Sequence, residues 1–293
     1  MSSTLGFLFA FASSIFKSGS ELSTKFFIND ELNEYVAGFG YRFFALPVLC
    51  ILTFIVGIPE VNIRFWMALA INVPLNVLAT VLYMKALKHS DISIVSPIKA
   101  ISPMLLLITS PIMIGEYASP VGAIGVIVVT SGVYTLKISS ASKKDMLNPF
   151  KKIFEQKGAQ YAFMVMVIYS ISSNIDKIGV SNSSAIFWTL SVHICISLGL
   201  LALVQIKVDD GFSQINANWK KLLPIGTLSG IAVAAQMIAI TYTLVVYVIA
   251  LKRTALLWNI IGGTVLLDET NLKERLTGGA LIVVGIIIIS ISL

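Results

Sequence analysis

Two stretches of eighteen residues decide how this chain folds: KAISPMLLLITSPIMIGE, residues 99–116, and KRTALLWNIIGGTVLLDE, residues 252–269. Each opens on a lysine, runs through apolar residues and ends on an acid. Counting back 17 positions from Glu116 reaches Lys99, and from Glu269 reaches Lys252. Counting forward nine reaches Gly125 and Gly278, each opening an apolar span that contains glycine. Further upstream, Lys25 and Lys177 pair at nearly the same offset. Self-similarity at one fixed offset is the mark of an internal repeat.

Outward from these stretches the sequence reads as ten apolar spans, roughly 5–28, 35–56, 65–84, 92–114, 121–136, 161–178, 185–206, 222–240, 245–267 and 276–293. A helix needs about 20 apolar residues to cross a bilayer. The first span lacks a basic start and a small-residue cleavage site, so it reads as a span and not as a removable signal peptide. Gly57-Ile58-Pro59 ends the second. Pro97, Pro103 and Pro111 are candidates to break or bend the fourth, and Pro74 to kink the third. Asp176-Lys177 reads as the interfacial end of the sixth, and Lys207–Lys221 as a polar connection. Residues 139–158 form a basic linker, with a stretch at Pro149–Phe154 that reads either as solvated chain or as a short interfacial helix.

Composition agrees. Of 293 residues 56% are hydrophobic, with 21 Lys+Arg against 15 Asp+Glu, or 12% charged; mean hydropathy is +0.88. Soluble domains carry roughly 25% charged residues, so a cytosolic enzyme, a disordered chain and a nucleic-acid-binding protein are excluded. Half of the net charge of +6 sits in the central linker, where it is first a topology signal. Two cysteines, Cys50 and Cys195, both in apolar runs, and only two histidines, His89 and His193, supply no disulfide framework and no metal site.

Five spans per half is an odd number, so the second half enters the membrane from the opposite side. The expected fold is an all-α integral membrane protein: ten transmembrane helices in two inverted five-helix repeats, 1–138 and 159–293, joined by the linker 139–158. That plan places a shared site near the bilayer midplane between the halves.

These residues resemble the drug/metabolite transporter (DMT) superfamily, EamA type. Gly115-Glu116 matches the close of that family's half, and Asp268-Glu269 departs from it in the Asp. Pro103 stands 13 residues before Glu116, as the family often has it, whereas Leu256 takes that place in the second half. Gly19-Ser20 with Lys25, and Arg42 near the start of the second span, also fit. The resemblance covers nearly the whole chain. It implies a secondary transporter (a permease that hydrolyses no ATP) and names no substrate. Lys99 with Lys252-Arg253 further resembles the triose-phosphate translocators of the same superfamily, where such a set holds phosphate.

Ionisable side chains inside spans cost at least about 2.5 kcal/mol each and mark cavities or partners. Lys99 and Lys252 lie roughly 10–12 Å deep at 1.5 Å per residue, from opposite faces if the repeat is inverted. With Arg253 they form a candidate cationic pocket for carboxylate or phosphate; the competing reading is snorkelling to the interface. Lys17, Glu21 and Lys25 are four apart on one helical face. Glu21, with Lys17 and Arg42, is a candidate for proton coupling or gating; Glu21 reads equally as simply the neutralising partner of Lys17. Arg42 reads as structural, paired with Glu21 or a helix end, and His193 as a hydrogen-bonded packing residue. Asn76, Tyr242 and Trp258 complete the candidate substrate-binding set, with Asn72, Tyr83, Tyr169, Asn174 and Gln236 as further polar candidates for a lining. Any of these serves equally well as an interhelical hydrogen bond.

No P-loop, zinc-protease or paired-Asp motif is present, so no enzymatic activity and no cofactor is expected. The expected partners are a small organic solute, anionic or zwitterionic, and the bilayer of a cell membrane that the chain crosses many times. Efflux of hydrophobic or cationic compounds and a non-transporting scaffold remain as alternatives. The positive-inside rule places the termini outside the cell, against the cytoplasmic termini usual in the resembled family, so the sequence leaves orientation, and with it direction, open.

Overall fold

Apolar runs of this length satisfy their backbone polar groups within one segment only as helices, and helices are what they form. The computed structural model describes residues 2–27, 32–90, 92–139, 153–267 and 272–292, and among them no strand occurs. The helices are α1 (Ser2–Phe27), α2 (Glu34–Phe43), α3 (Leu46–Val56), α4 (Ile63–His89), α5 (Ile92–Ala100), α6 (Ser102–Ile114), α7 (Pro120–Ser139), α8 (Lys157–Ser181), α9 (Ala185–Lys207), α10 (Gly211–Tyr242), α11 (Val245–Leu251), α12 (Ala255–Leu267) and α13 (Leu272–Ile291). A 3₁₀ turn, Lys252–Thr254, links α11 to α12.

Helix ends follow local chemistry. Asn33, Asn62 and Ser184 cap α2, α4 and α9 by accepting backbone N–H groups. Gly115 closes α6 in the left-handed region at φ 68°, where a side chain would be strained.

Seven segments are long and apolar enough to cross a membrane: Tyr35–Val56, Ile63–His89, Ile94–Ile114, Lys157–Ser181, Ala185–Lys207, Gly211–Tyr242 and Val245–Gly262. Pro120–Leu136 and Thr277–Ile291 are shorter apolar helices. At 26 residues α1 has comparable length, but its serines, Lys17 and Glu21 lower its hydropathy. The chain is thus a multi-pass membrane protein. Its outward surface is oily, with Phe54 91% and Ile112 78% exposed, as lipid contact requires.

Several expected boundaries move. The second apolar run is two helices, broken at Phe44–Ala45 just before Pro47 in the first turn of α3. The fourth breaks at Ile101, where Pro103 sits in the first turn of α6; α4 runs unbroken through Pro74. Asp176-Lys177 does not end a helix: α8 continues to Ser181. Most of the supposed connection 207–221 is the first three turns of α10, because amphipathic polar residues extend a helix beyond the apolar zone. Of the linker, residues 140–152 lie outside the described residues, as do Asp268 and Glu269.

The halves interlock. α1 lies along α10, α4 along α8, and α7 along α13. Exchanging the halves turns the first pair into the second and maps the third onto itself. The last pair is held close by glycines in antiparallel register. A Cβ on Gly132 would stand 2.7 Å from the Gly278 carbonyl oxygen, and one on Gly285 2.8 Å from that of Gly125. Small residues allow this backbone approach where lipid supplies no hydrophobic drive.

Candidate functional site

Both halves break a helix at the same place. α5 gives way to α6 just after Lys99, and α11 gives way to α12 at Lys252-Arg253. The two breaks meet: Arg253 Nη2 donates to Ser102 Oγ at 2.7 Å. Between the halves lies a cavity of about 520 Å³.

Seven of the nine candidates from the sequence line it: Lys17, Glu21, Arg42, Asn76, Lys99, Lys252 and Arg253. Tyr242 and Trp258 do not. Tyr242 is 41% exposed and stacks on Phe9 at 6.5 Å. Trp258 turns from the cavity to donate to Ser14 Oγ at 3.2 Å and to meet Phe11 edge-on at 5.6 Å. Sharing a helix with Lys252 does not place it on the same face. Asn174 is likewise spent elsewhere, bonding Ser110 and Thr109 at 2.8 and 3.0 Å.

The cations are held differently. Lys17 Nζ stands 3.1 Å from Glu21 Oε1 and donates to the Tyr41 hydroxyl at 3.1 Å. Asn259 Nδ2 donates to the other Glu21 oxygen at 2.6 Å, and Asn259 Oδ1 accepts from Ser18 at 2.6 Å. Lys252 Nζ donates to Gln236 Oε1. Lys99 Nζ rests over the Tyr83 ring, 3.7 Å from its centroid, a cation–π contact; among the described residues it has no hydrogen-bond acceptor. Arg42 Nη1 lies 3.4 Å from His193 Nε2. His193 Nδ1–H donates to the Thr189 carbonyl at 2.8 Å, which leaves Nε2 as the acceptor. The lining therefore holds five formal cations, Lys17, Arg42, Lys99, Lys252 and Arg253, against two carboxylates, Glu21 and Asp176.

Tyr41, Asn259 and Asp176 escaped the sequence reading. Asp176 looked like an interfacial residue; instead its Oδ1 accepts from Trp188 Nε1 at 2.9 Å and Asn72 Nδ2 at 3.0 Å. The spacing of Asn72 and Asn76, four apart, was the available clue, because it marks a polar stripe that needs a partner.

Toward one end of the cavity, near the end of α10 and the start of α11, the lining is buried. Trp188, Met237 and Ile249 are 0%, 5% and 8% exposed. Beyond them Glu116 and Lys177 form an ion pair at 3.0 Å, with side chains 14% and 22% exposed. Lys177 also donates to the Ile240 carbonyl at 2.5 Å, in the last turn of α10, where the helix dipole favours a cation. Glu116 Oε2 accepts from Val245 N–H at 2.9 Å, the positive start of α11. An acid from the first half thus fastens two helices of the second. At the other end the Glu21 side chain is 41% exposed.

The sequence profile of the EamA-like transporter family matches this chain twice, at residues 4–137 and 156–291. A solved structure described only as a crystal structure of a protein shares 15% identity over 98% of this chain and 97% of its own, with a TM-score of 0.76; at that identity the likeness is one of fold. No curated protein matches the chain.

Proposed function

Since the chain belongs to the EamA-like transporter family, we propose that it is a secondary transporter of a small anionic or zwitterionic organic solute, built as ten spans in two inverted repeats and working by alternating access. The observation that carries the substrate class is the charge of the central cavity, five formal cations against two carboxylates. A lipophilic cation would meet like charge there, whereas a carboxylate or phosphate adds the missing counter-charge. Lys99, Lys252 and Arg253, placed at the two helix breaks, are the anion ligands in this reading. Inside a membrane, backbone departs from regular helix where it is buried in protein or lines a cavity, and broken helices at a cavity frame transporter sites. Alternating access is supported by the asymmetry of the two ends, one sealed by the Glu116–Lys177 pair and the other reaching Glu21.

The test is a thermal-shift panel on detergent-purified protein with glutarate, ethyl phosphate and a lipophilic quaternary ammonium. A ligand of the native state at a hundredfold excess over Kd stabilises by about 2.7 kcal/mol. Stabilisation by an anion, lost in a folded Lys252→Ala variant, is the expected result. A loss of 10- to 100-fold in affinity corresponds to about 1.5–3 kcal/mol for a charged hydrogen bond. Stabilisation by the cation alone, or full anion binding in Lys252→Ala, refutes it.

A further inference from the structure

The cavity has a second chemical character that its cations conceal. On the wall made by α4, α8 and α9, Asn72, Asn76, Ser172, Asp176 and Trp188 form one hydrogen-bonded group. The amide and indole donors are turned inward. Trp188 and Asn72 both spend their N–H groups on Asp176 Oδ1, at 2.9 and 3.0 Å. Asn76 Nδ2 is spent on Asn72 Oδ1 at 2.6 Å and on Ser172 Oγ at 2.8 Å. This orients the Asn76 amide, so its Oδ1 points away from the group.

Two acceptors are left over. Among the described residues neither Asp176 Oδ2 nor Asn76 Oδ1 receives a hydrogen bond. Neither is a sealed orphan atom, and both residues line the cavity, so both oxygens open into it. Arg42 and Lys252 are the charged groups whose fields reach Asp176. Their own bonding is to His193 and Gln236, and neither donates to the carboxylate. Acceptors and anion ligands therefore line one cavity.

We propose that Asp176 and Asn76 form a donor-binding subsite that takes the ammonium of an amphoteric solute whose anionic group meets Lys99, Lys252 and Arg253. The inference rests on the anion-binding reading above and narrows it to aminated carboxylates or aminated phosphates. Two acceptors on one cavity wall, one of them a carboxylate, suit an ammonium better than a hydroxyl, because charge-assisted hydrogen bonds are about twice as strong as neutral ones. A solute with an anionic group alone would leave both oxygens desolvated and unmatched, which is how a polar site rejects the analogue lacking its partner.

Matched pairs test it: glutamate against glutarate, and phosphoethanolamine against ethyl phosphate, titrated into the purified full-length protein. The wild type is expected to bind the aminated member of at least one pair about tenfold more tightly or better. Asp176→Asn should bring that ratio close to one, with the affinity for the des-amino member changed by less than about twofold. Asn76→Ala, which keeps the carboxylate, should lower the ratio by about threefold and gives an independent reading if Asp176→Asn fails to fold. Equal binding of both members by the wild type, or an unchanged ratio in the variants, overturns the subsite. If glutarate and ethyl phosphate still bind in a Lys252-dependent way, the anion reading survives that failure. If no member of either pair binds the wild type, the anion reading and the subsite fall together.

Discussion

Replacing Glu116 by Gln isolates the ion pair that seals the closed end. The amide oxygen can still accept the Val245 N–H, now 2.9 Å from Glu116 Oε2, so the start of α11 stays capped. Lys177 keeps the Ile240 carbonyl and is not orphaned. What is lost is the attraction of opposite charges at 3.0 Å, with side chains 14% and 22% exposed. Exposed pairs contribute about 0–1 kcal/mol, and breaking a fully buried pair costs about 3–5 kcal/mol. This pair lies between those limits, and because both charges keep helix-end partners about 1–2 kcal/mol is the reasonable figure. A shift of 1.4 kcal/mol is tenfold in an equilibrium constant, so the sealed state should lose about tenfold in population relative to states open at that end. The assay is alkylation of Ile249→Cys, a position 8% exposed inside the seal, with a membrane-impermeant thiol reagent and with Cys50 and Cys195 replaced by Ser. Its rate should rise about tenfold in Glu116→Gln. Lys177→Gln should do the same, and the double variant should add little to either. An unchanged rate in both single variants would refute the assignment of this pair as the seal.

The fold and the lining yield two further expectations. Gly132→Leu should weaken the α7–α13 contact by about 1–3 kcal/mol, the usual cost of overpacking, and lower the thermal midpoint in detergent, because its Cβ alone would meet the Gly278 carbonyl oxygen at 2.7 Å; Gly279→Leu, whose Cβ meets only Leu257 at 3.4 Å, is the control and should change it far less. Trp258→Phe should leave the affinity for the panel anions within about twofold in the same titration, since the indole bonds Ser14 outside the cavity.

Apolar length and the spacing of Lys99–Glu116 against Lys252–Glu269 were enough to read a helical membrane protein made of two similar halves. Both facts are one-dimensional. A bilayer forces long apolar runs into helices, and a duplicated segment keeps its offsets along the chain. The cationic side chains were legible for a related reason: a lysine or arginine within an apolar run is costly in any arrangement, so Lys99, Lys252 and Arg253 stood out before any contact was known. Helix breaks were harder to read. Pro103 announced the one at Ile101, but the matching break at Lys252–Thr254 has no proline to announce it.

Which face a residue occupies was decided by tertiary structure alone. Trp258 and Asn259 are neighbours in sequence, yet one turns to Ser14 and the other to Glu21, because successive helical positions diverge by about 100°. Asp176 and Lys177 likewise read as a single interfacial pair, and the fold sends the first to Trp188 and the second to Glu116. A charge in a membrane protein takes its role from the helix it faces, and that helix is brought alongside only when the two halves close on each other.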